Sequence, residues 1–174
     1  MTIRKILTEP DPFLRQKSSQ VEEVNDEIRA LMDDMLETMY DAPGIGLAAV
    51  QIGIPKKIIV IDLSRSEEKK DPYFFVNPEI ITNSNNDAIY EEGCLSVPGQ
   101  FAEIQRPDKC KVRYQNYYGE EKEMDAEGLL ATCIQHEMDH LEGILFIDYL
   151  SKLKKNMIIK KLSKQKKSLK RIIV

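Results

Sequence analysis

The segment IQHEMDHLEG, residues 134–143, holds the only two histidines of the chain, His136 and His140, with Glu137 between them. On a helix, residues four apart stack on one face, so both imidazoles can aim a ring nitrogen at one point. Leu129, Leu130, Cys133 and Ile134 make the surrounding stretch apolar, and Gly143 suits a helix stop, which predicts a helix from about Ala126 to Leu141 inside the fold. Burying two histidines and a glutamate on such a helix is costly unless each finds a partner. Whatever the chain folds into must therefore bring further polar groups, or a cation, to this helix.

The other elements follow from periodicity. Ile28, Leu31, Met32, Met35, Leu36 and Met39 recur at three- and four-residue steps, predicting a helix over Asp26–Asp41 with Asn25 as its cap and Pro43 at its end. The stretches KKIIVIDL (56–63), YFFVNPEIIT (73–82), EEGCLSVPG (91–99) and CKVRYQNYYG (110–119) are predicted strands, while GIGLAAVQIGIP reads as loop and short extended pieces. Strands following one another without helices between them make the class α+β. Leu150, Leu153, Met157, Leu162 and Leu169 suggest an apolar stripe on a third helix in the tail.

A chain of 174 residues suits one domain, with residues 1–150 as its catalytic body and 151–174 as a basic C-terminal helix of the same unit. All 29 acidic residues lie in 1–150, whereas ten of the 25 basic residues crowd into the last 24 positions. No apolar run is long enough to cross a membrane, and the opening MTIRKILTEPDPF lacks the apolar core of a secretion signal. Three cysteines cannot all pair within one chain, so a reducing compartment is expected, with thiols serving as ligands or core residues.

Two histidines alone hold a catalytic metal poorly; such sites use three protein ligands and leave a position for water. Cys94, beside Gly93 in EEGCLS, is the best third ligand, and Cys133 is its competitor, although three ligands on one stretch of helix would strain a shared ion. Cys110 lies in a predicted strand and reads as core. Glu137 cannot face the metal beside His136, which frees it to move protons. Hydrolysis also needs donors for an oxyanion, and the Gln51 amide and the Leu95 N–H are candidates.

Three motifs, GIGLAAVQ (44–51), EGCLS (92–96) and QHEMDH (135–140), stand in this order, with SVPGQFAEIQRP and GILFIDYL after the second and third. In these the chain resembles the peptide deformylases over nearly its whole length. The resemblance implies an α+β fold with mixed or antiparallel sheets packed around a central helix carrying H-E-x-x-H, flanked by an N-terminal and a C-terminal helix. It implies a bacterial cytoplasmic hydrolase that removes the formyl group from N-formylmethionyl peptides and releases formate. Cys94, His136 and His140 would bind one divalent ion, Fe²⁺ in the native enzyme, with Zn²⁺, Ni²⁺ or Co²⁺ able to substitute. Glu137 would be the general acid/base, and Gln51 with Leu95 would hold the formyl oxygen. Ile45, Gly46 and Gly93 would pair with the substrate backbone, and Tyr90, Leu129, Cys133 and His136 would wall the methionine pocket. Glu92 and Arg106 would support the ligands from behind.

Two rival classes fit parts of the pattern: a protease cutting internal peptide bonds, and a non-enzymatic zinc module with a nucleic-acid-binding tail. Neither accounts for GIGLAAVQ beside the other motifs. The lysine-rich tail is expected either to lie solvated on the domain or to contact the ribosome, and the chain is expected to be a monomer.

Overall fold

The computed structural model describes residues 2–64 and 69–172, with side chains up to Ser168. In chain order the elements are α1 (Asp26–Asp41), β1 (Gly46–Ala48), β2 (Ile58–Ile61), β3 (Tyr73–Asn83), β4 (Asp87–Cys94), β5 (Val97–Pro107), β6 (Lys109–Gln115), β7 (Glu121–Glu127), α2 (Gly128–Leu141) and α3 (Lys152–Ile172). Single 3₁₀ turns sit at Pro12–Arg15, Ala49–Ile52 and Phe146–Tyr149.

Five strands form one antiparallel sheet in the order β1-β2-β3-β6-β7, and β4 and β5 form a separate hairpin. The large sheet lies between two helices. Ile58 and Val60 of β2 face α1, packing with Ile28, Leu31, Met32, Met35 and Met39. Ile59 and Ile61 face the other way, into Ala131, Cys133, Ile134 and Leu141 of α2. Strand side chains alternate between faces, so a strand covered on both sides reads as the unbroken apolar run IIVI. Each fully buried Ile here contributes about 1.5–3 kcal/mol relative to exposure. Asn25 caps α1 as expected, accepting the Ile28 N–H at 3.0 Å.

Four expectations change. The predicted strand over 91–99 is the end of β4, a turn at Leu95–Ser96 and the start of β5, with Cys94 opposite Val97. Pro98 and Gly99 hid β5, but a strand with a free outer edge tolerates them. β7, EKEMDAE, reads as polar because only Met124 and Ala126 turn inward; the rest is solvated and pairs across the ladder, as in Arg113–Glu123. α2 accordingly starts at Gly128, two residues later than expected, since Ala126 still pairs with Cys110.

The fourth change concerns the tail. Leu162, with Ile158 and Ile159, packs on Val97, Ile104, Leu145, Phe146 and Ile147, while Leu153 and Met157 are exposed. Of the predicted stripe, Leu150 and Leu162 therefore pack inward and Leu153 and Met157 do not, while Leu169 lies outside the described side chains. The phase is set by Asp148. Its carboxylate takes Arg15 at 2.5 Å and the Leu145 N–H at 3.0 Å on one oxygen, with the Lys155 ammonium 2.6 Å from the other. This joins the N-terminal arm, the turn after α2 and the first turns of α3.

Burial opposes ionisation of Asp148, yet Lys155, the Leu145 N–H and Arg15 hold its carboxyl below the ordinary value. A group depressed on folding stabilises the fold above its unfolded pKa, and that contribution is lost as pH falls through the folded one. Asp148→Asn is expected to cost about 2 kcal/mol at neutral pH. In urea titrations its difference from wild type should begin to shrink as the pH drops below about 4 and vanish only once the pH is below the depressed folded value.

Candidate active site

The large sheet and the hairpin each leave a free edge, and the site lies between them. Among the described residues β1 pairs only with β2, and β4 only with β5. A cavity of about 440 Å³ opens between Gly44–Gly46 on one side and Tyr90–Leu95 on the other, with Leu129, Thr132, Cys133, His136 and Glu137 of α2 as its floor.

The donor atoms of Cys94, His136 and His140 all lie within 4.8 Å of one another, with Cys94 Sγ 3.2 Å from His140 Nε2. Cys94 arrives there because β4 ends in an irregularity between Gly93 and Cys94, before the turn into β5. The Ser96 N–H donates to its sulfur at 3.4 Å and Gln51 Nε2 approaches at 3.5 Å. Cys133 is not in this cluster. Burial, then Glu137 and Glu92, push its thiol up to about 12, so it stays protonated as a cavity wall.

Glu92 fixes the first imidazole. Its Oε2 lies 2.8 Å from His136 Nδ1, so that nitrogen carries a proton and donates it, which leaves Nε2 as the nitrogen available to a metal. Arg106 in turn donates to both oxygens of Glu92, at 2.6 and 3.0 Å. All three side chains are buried. Burial opposes charge on Glu92, but His136 and Arg106 hold its carboxyl below the ordinary value. Two residues that the sequence did not point to complete the network: Asp139 accepts from Arg106 Nη1 at 2.8 Å, and Tyr149 Oη donates to Asp139 at 2.8 Å. Asp139 lies three residues after His136, but its link runs through Arg106 on another element, and no local spacing reports that.

The two histidines are driven apart electrostatically. Burial lowers both, but Cys94 and Glu92 raise His136 well above the ordinary value, whereas His136 and Arg106 push His140 further down. His140 Nδ1 is buried without a hydrogen-bond partner. A thiol and two imidazoles brought together, with His140 Nε2 3.2 Å from the sulfur, make a donor set suited to a borderline divalent cation. The residues present thus fit a metal ion, and the cluster could bind one.

Glu137 lies against Gly46, where a Cβ would strike its carboxylate, so only glycine leaves room for it. Burial pushes the Glu137 carboxyl up to about 7, aided by Glu92 and Asp139 and opposed by His136. Such a group can take and return a proton near neutrality. Gln51 sits in the turn Ala49–Ile52, with its Oε1 held by the Ala48 N–H at 2.8 Å. Its Nε2 must then point to Ser96 Oγ, at 3.0 Å, and to Cys94. Leu95 follows Cys94 and lines the cavity. Ile45, Gly46, Gly93, Tyr90, Leu129 and Cys133 all border the same space. Phe101, unsuspected from sequence, lies across Gly93, where a Cβ would come within 2.5 Å of its ring.

Comparison with known proteins gives a consistent result. The family model described as polypeptide deformylase matches residues 3–156. A peptide deformylase of Pelagibacter ubique is 66% identical over 174 residues, covering 100% of both chains. One from Phenylobacterium zucineum is 63% identical over 168 residues, covering 97% of this chain and 99% of that one. The crystal structure of the Ehrlichia chaffeensis peptide deformylase in complex with actinonin superposes with a TM-score of 0.89 at 44% identity, covering 95% of this chain and 98% of that chain.

Glu92→Gln keeps the side-chain shape but weakens the hold on His136 and strands Arg106. Cation affinity, measured by competition with a chelator, is expected to fall by about 10- to 100-fold. Unchanged affinity removes the orienting role.

Proposed function

This chain belongs to the polypeptide deformylase family, and on that premise we propose how its residues divide the work. The activity is hydrolytic: the enzyme removes the N-terminal formyl group from N-formylmethionyl peptides and releases formate. Membership removes the readings as an internal-bond protease and as a non-enzymatic zinc module. In our assignment Cys94, His136 and His140 hold one divalent cation and Glu137 moves the proton. Gln51 and the Leu95 N–H hold the formyl oxygen. The observation that carries this assignment is the meeting of the three donor atoms and the Glu137 carboxylate around one cavity between two free strand edges.

The peptide enters extended, bonding through its backbone to Ile45 and Gly46 on one side and Gly93 on the other. It thereby becomes a strand between the two sheets. Its first side chain occupies the apolar floor formed by Tyr90, Leu129, Cys133 and the flank of His136. A divalent cation held by Cys94, His136 and His140 would supply Lewis acidity and would lower the pKa of water at this site. Glu137 takes the proton from the attacking water. As the carbonyl oxygen becomes an oxyanion, Gln51 Nε2 and the Leu95 N–H donate to it. Glu137 then protonates the departing α-amine, and formate leaves. Gly46 keeps the carboxylate close to both positions.

We assign Fe²⁺ as the native ion, with Zn²⁺, Ni²⁺ or Co²⁺ able to replace it; a cysteine-histidine set takes all four, so availability decides. Residues 151–174 belong in this reading to the same unit as 1–150, because Leu162 is buried against β5 and the Phe146–Tyr149 turn. No helix among the described residues is long and apolar enough to cross a membrane. We place the enzyme in the bacterial cytoplasm, as a monomer whose large sheet is covered on both faces by its own helices. Lys160, Lys164 and Lys167 lie together on the outward side of α3, and we assign them to ribosomal RNA.

Glu137→Gln is expected to keep its metal content while formate release from formyl-Met-Ala falls by about 10²- to 10⁴-fold. Wild-type turnover in this variant rejects the proton-transfer role. Metal analysis of anaerobically purified protein, paired with its rate, decides the ion: activity tracking zinc rather than iron rejects Fe²⁺. Charge reversal of Lys160, Lys164 and Lys167 leaves the packed face of α3 intact. It should weaken ribosome binding steeply at low salt and spare the dipeptide rate; equal binding rejects the RNA contact. Sedimentation of the free chain is expected at 20.0 kDa.

A further inference from the structure

Phe101 stands between two spaces. One is the site cavity; the other is a groove of about 610 Å³ between β5 and α3. Along β5, Pro98 and Gly99 line the cavity, while Gln100 and Ala102 line the groove. Phe101, 65% exposed, borders both.

The groove has the features of a site for extended peptide. Among the described residues β5 pairs with β4 alone, so the backbone groups on its outer edge are free to bond to an added strand. Facing that edge, α3 presents Lys154, Met157 and Lys161, whose spacing puts them on one face of the helix. Met157 is 63% exposed. Two ammonium groups against the single carboxylate of Glu103 give the groove a positive balance. Ile158, half-buried, lines the groove with these residues of α3 and borders the face that buries Leu162, whereas Lys160, Lys164 and Lys167 are exposed on the outward side.

We propose that this groove holds the formylated polypeptide several residues downstream of its first methionine. The chain leaves the cavity over Phe101 and runs extended along β5, with an apolar side chain on Met157 and an acidic one between Lys154 and Lys161. Continuity with the site is the argument for this occupant: a chain anchored at its formyl end has to leave past the cavity rim, and Phe101 forms part of that rim. At roughly 3.3 Å per extended residue, about three to five residues beyond the first bring it into the groove. The proposal rests on the deformylase reading and adds a second contact to it, one that selects for chain length and downstream sequence.

The test compares formyl-Met-Ala with a formylated octapeptide that begins with the same two residues and carries leucine and glutamate near its end. The octapeptide is expected to have about tenfold higher kcat/KM, expressed in KM, the factor that one or two added hydrogen bonds supply. Met157→Glu and the double variant Lys154→Glu/Lys161→Glu should each reduce that advantage to about twofold or less, with formyl-Met-Ala hydrolysed at the wild-type rate. Equal kcat/KM for both peptides in the wild type overturns the proposal, as does an advantage that survives both variants. A fall in dipeptide rate with the length advantage intact also overturns it, assigning these residues to stability. Variants that keep the advantage but lose binding to an RNA hairpin give the groove to a polyanion instead. Absence of any formyl-Met-Ala hydrolysis is a different result: it strikes the deformylase reading itself.

Discussion

The buried carboxylate of Glu92 is the contact on which the site depends. It comes from β4, is clamped by Arg106 of β5, and holds the His136 ring of α2 at 2.8 Å. Three elements from different parts of the chain thus meet at one group that water does not reach. Taking charged groups out of water is unfavourable unless each is matched, and removing one member of a buried pair costs about 3–5 kcal/mol. The network therefore fixes which nitrogen of His136 is tied to Glu92 and which is available to a metal. It also fixes how the hairpin sits on α2, and with it where Cys94 arrives.

Around this joint the fold uses the absence of side chains as much as their presence. Gly46 gives the Glu137 carboxylate its place beside β1, and Gly93 lets Phe101 lie flat across β4. Both glycines are on strands with a free edge, and the cavity lies between those edges. Among the described residues the two sheets do not pair with each other, and their free edges face across the cavity. On the assignment proposed above, an extended peptide pairs with the backbone groups on both sides.

Much of this was legible in the residues. The stacking of His136 and His140 follows from helical pitch alone, and α1 follows from its apolar period and its Asn25 cap. The doubly covered strand IIVI follows from its unbroken apolarity. What was not legible has a common cause. β7 is a strand only because β6 offers a ladder to it, and β5 keeps a proline only because its outer edge is free. The phase of α3 is set by Asp148 and the Phe146–Tyr149 turn, so Leu153 and Met157 face solvent although they look like core. Asp139 and Tyr149 join the Glu92 network through a guanidinium some thirty to forty residues away in the chain.

By itself the sequence determined the local geometry: two imidazoles on one helical face, a capped amphipathic helix, a turn rich in small residues ending in Gln51. Spacing along a regular element is a rigid consequence of backbone sterics and needs no other part of the molecule. The sequence favoured Cys94 over Cys133, and the tertiary structure decided how Cys94 reaches those imidazoles, which way the Gln51 amide points, and which carboxylate is held against a glycine. It also decided which face of α3 lies open beside the cavity. These depend on contacts between residues far apart in the chain, where a shift of one strand position turns a side chain to the opposite face.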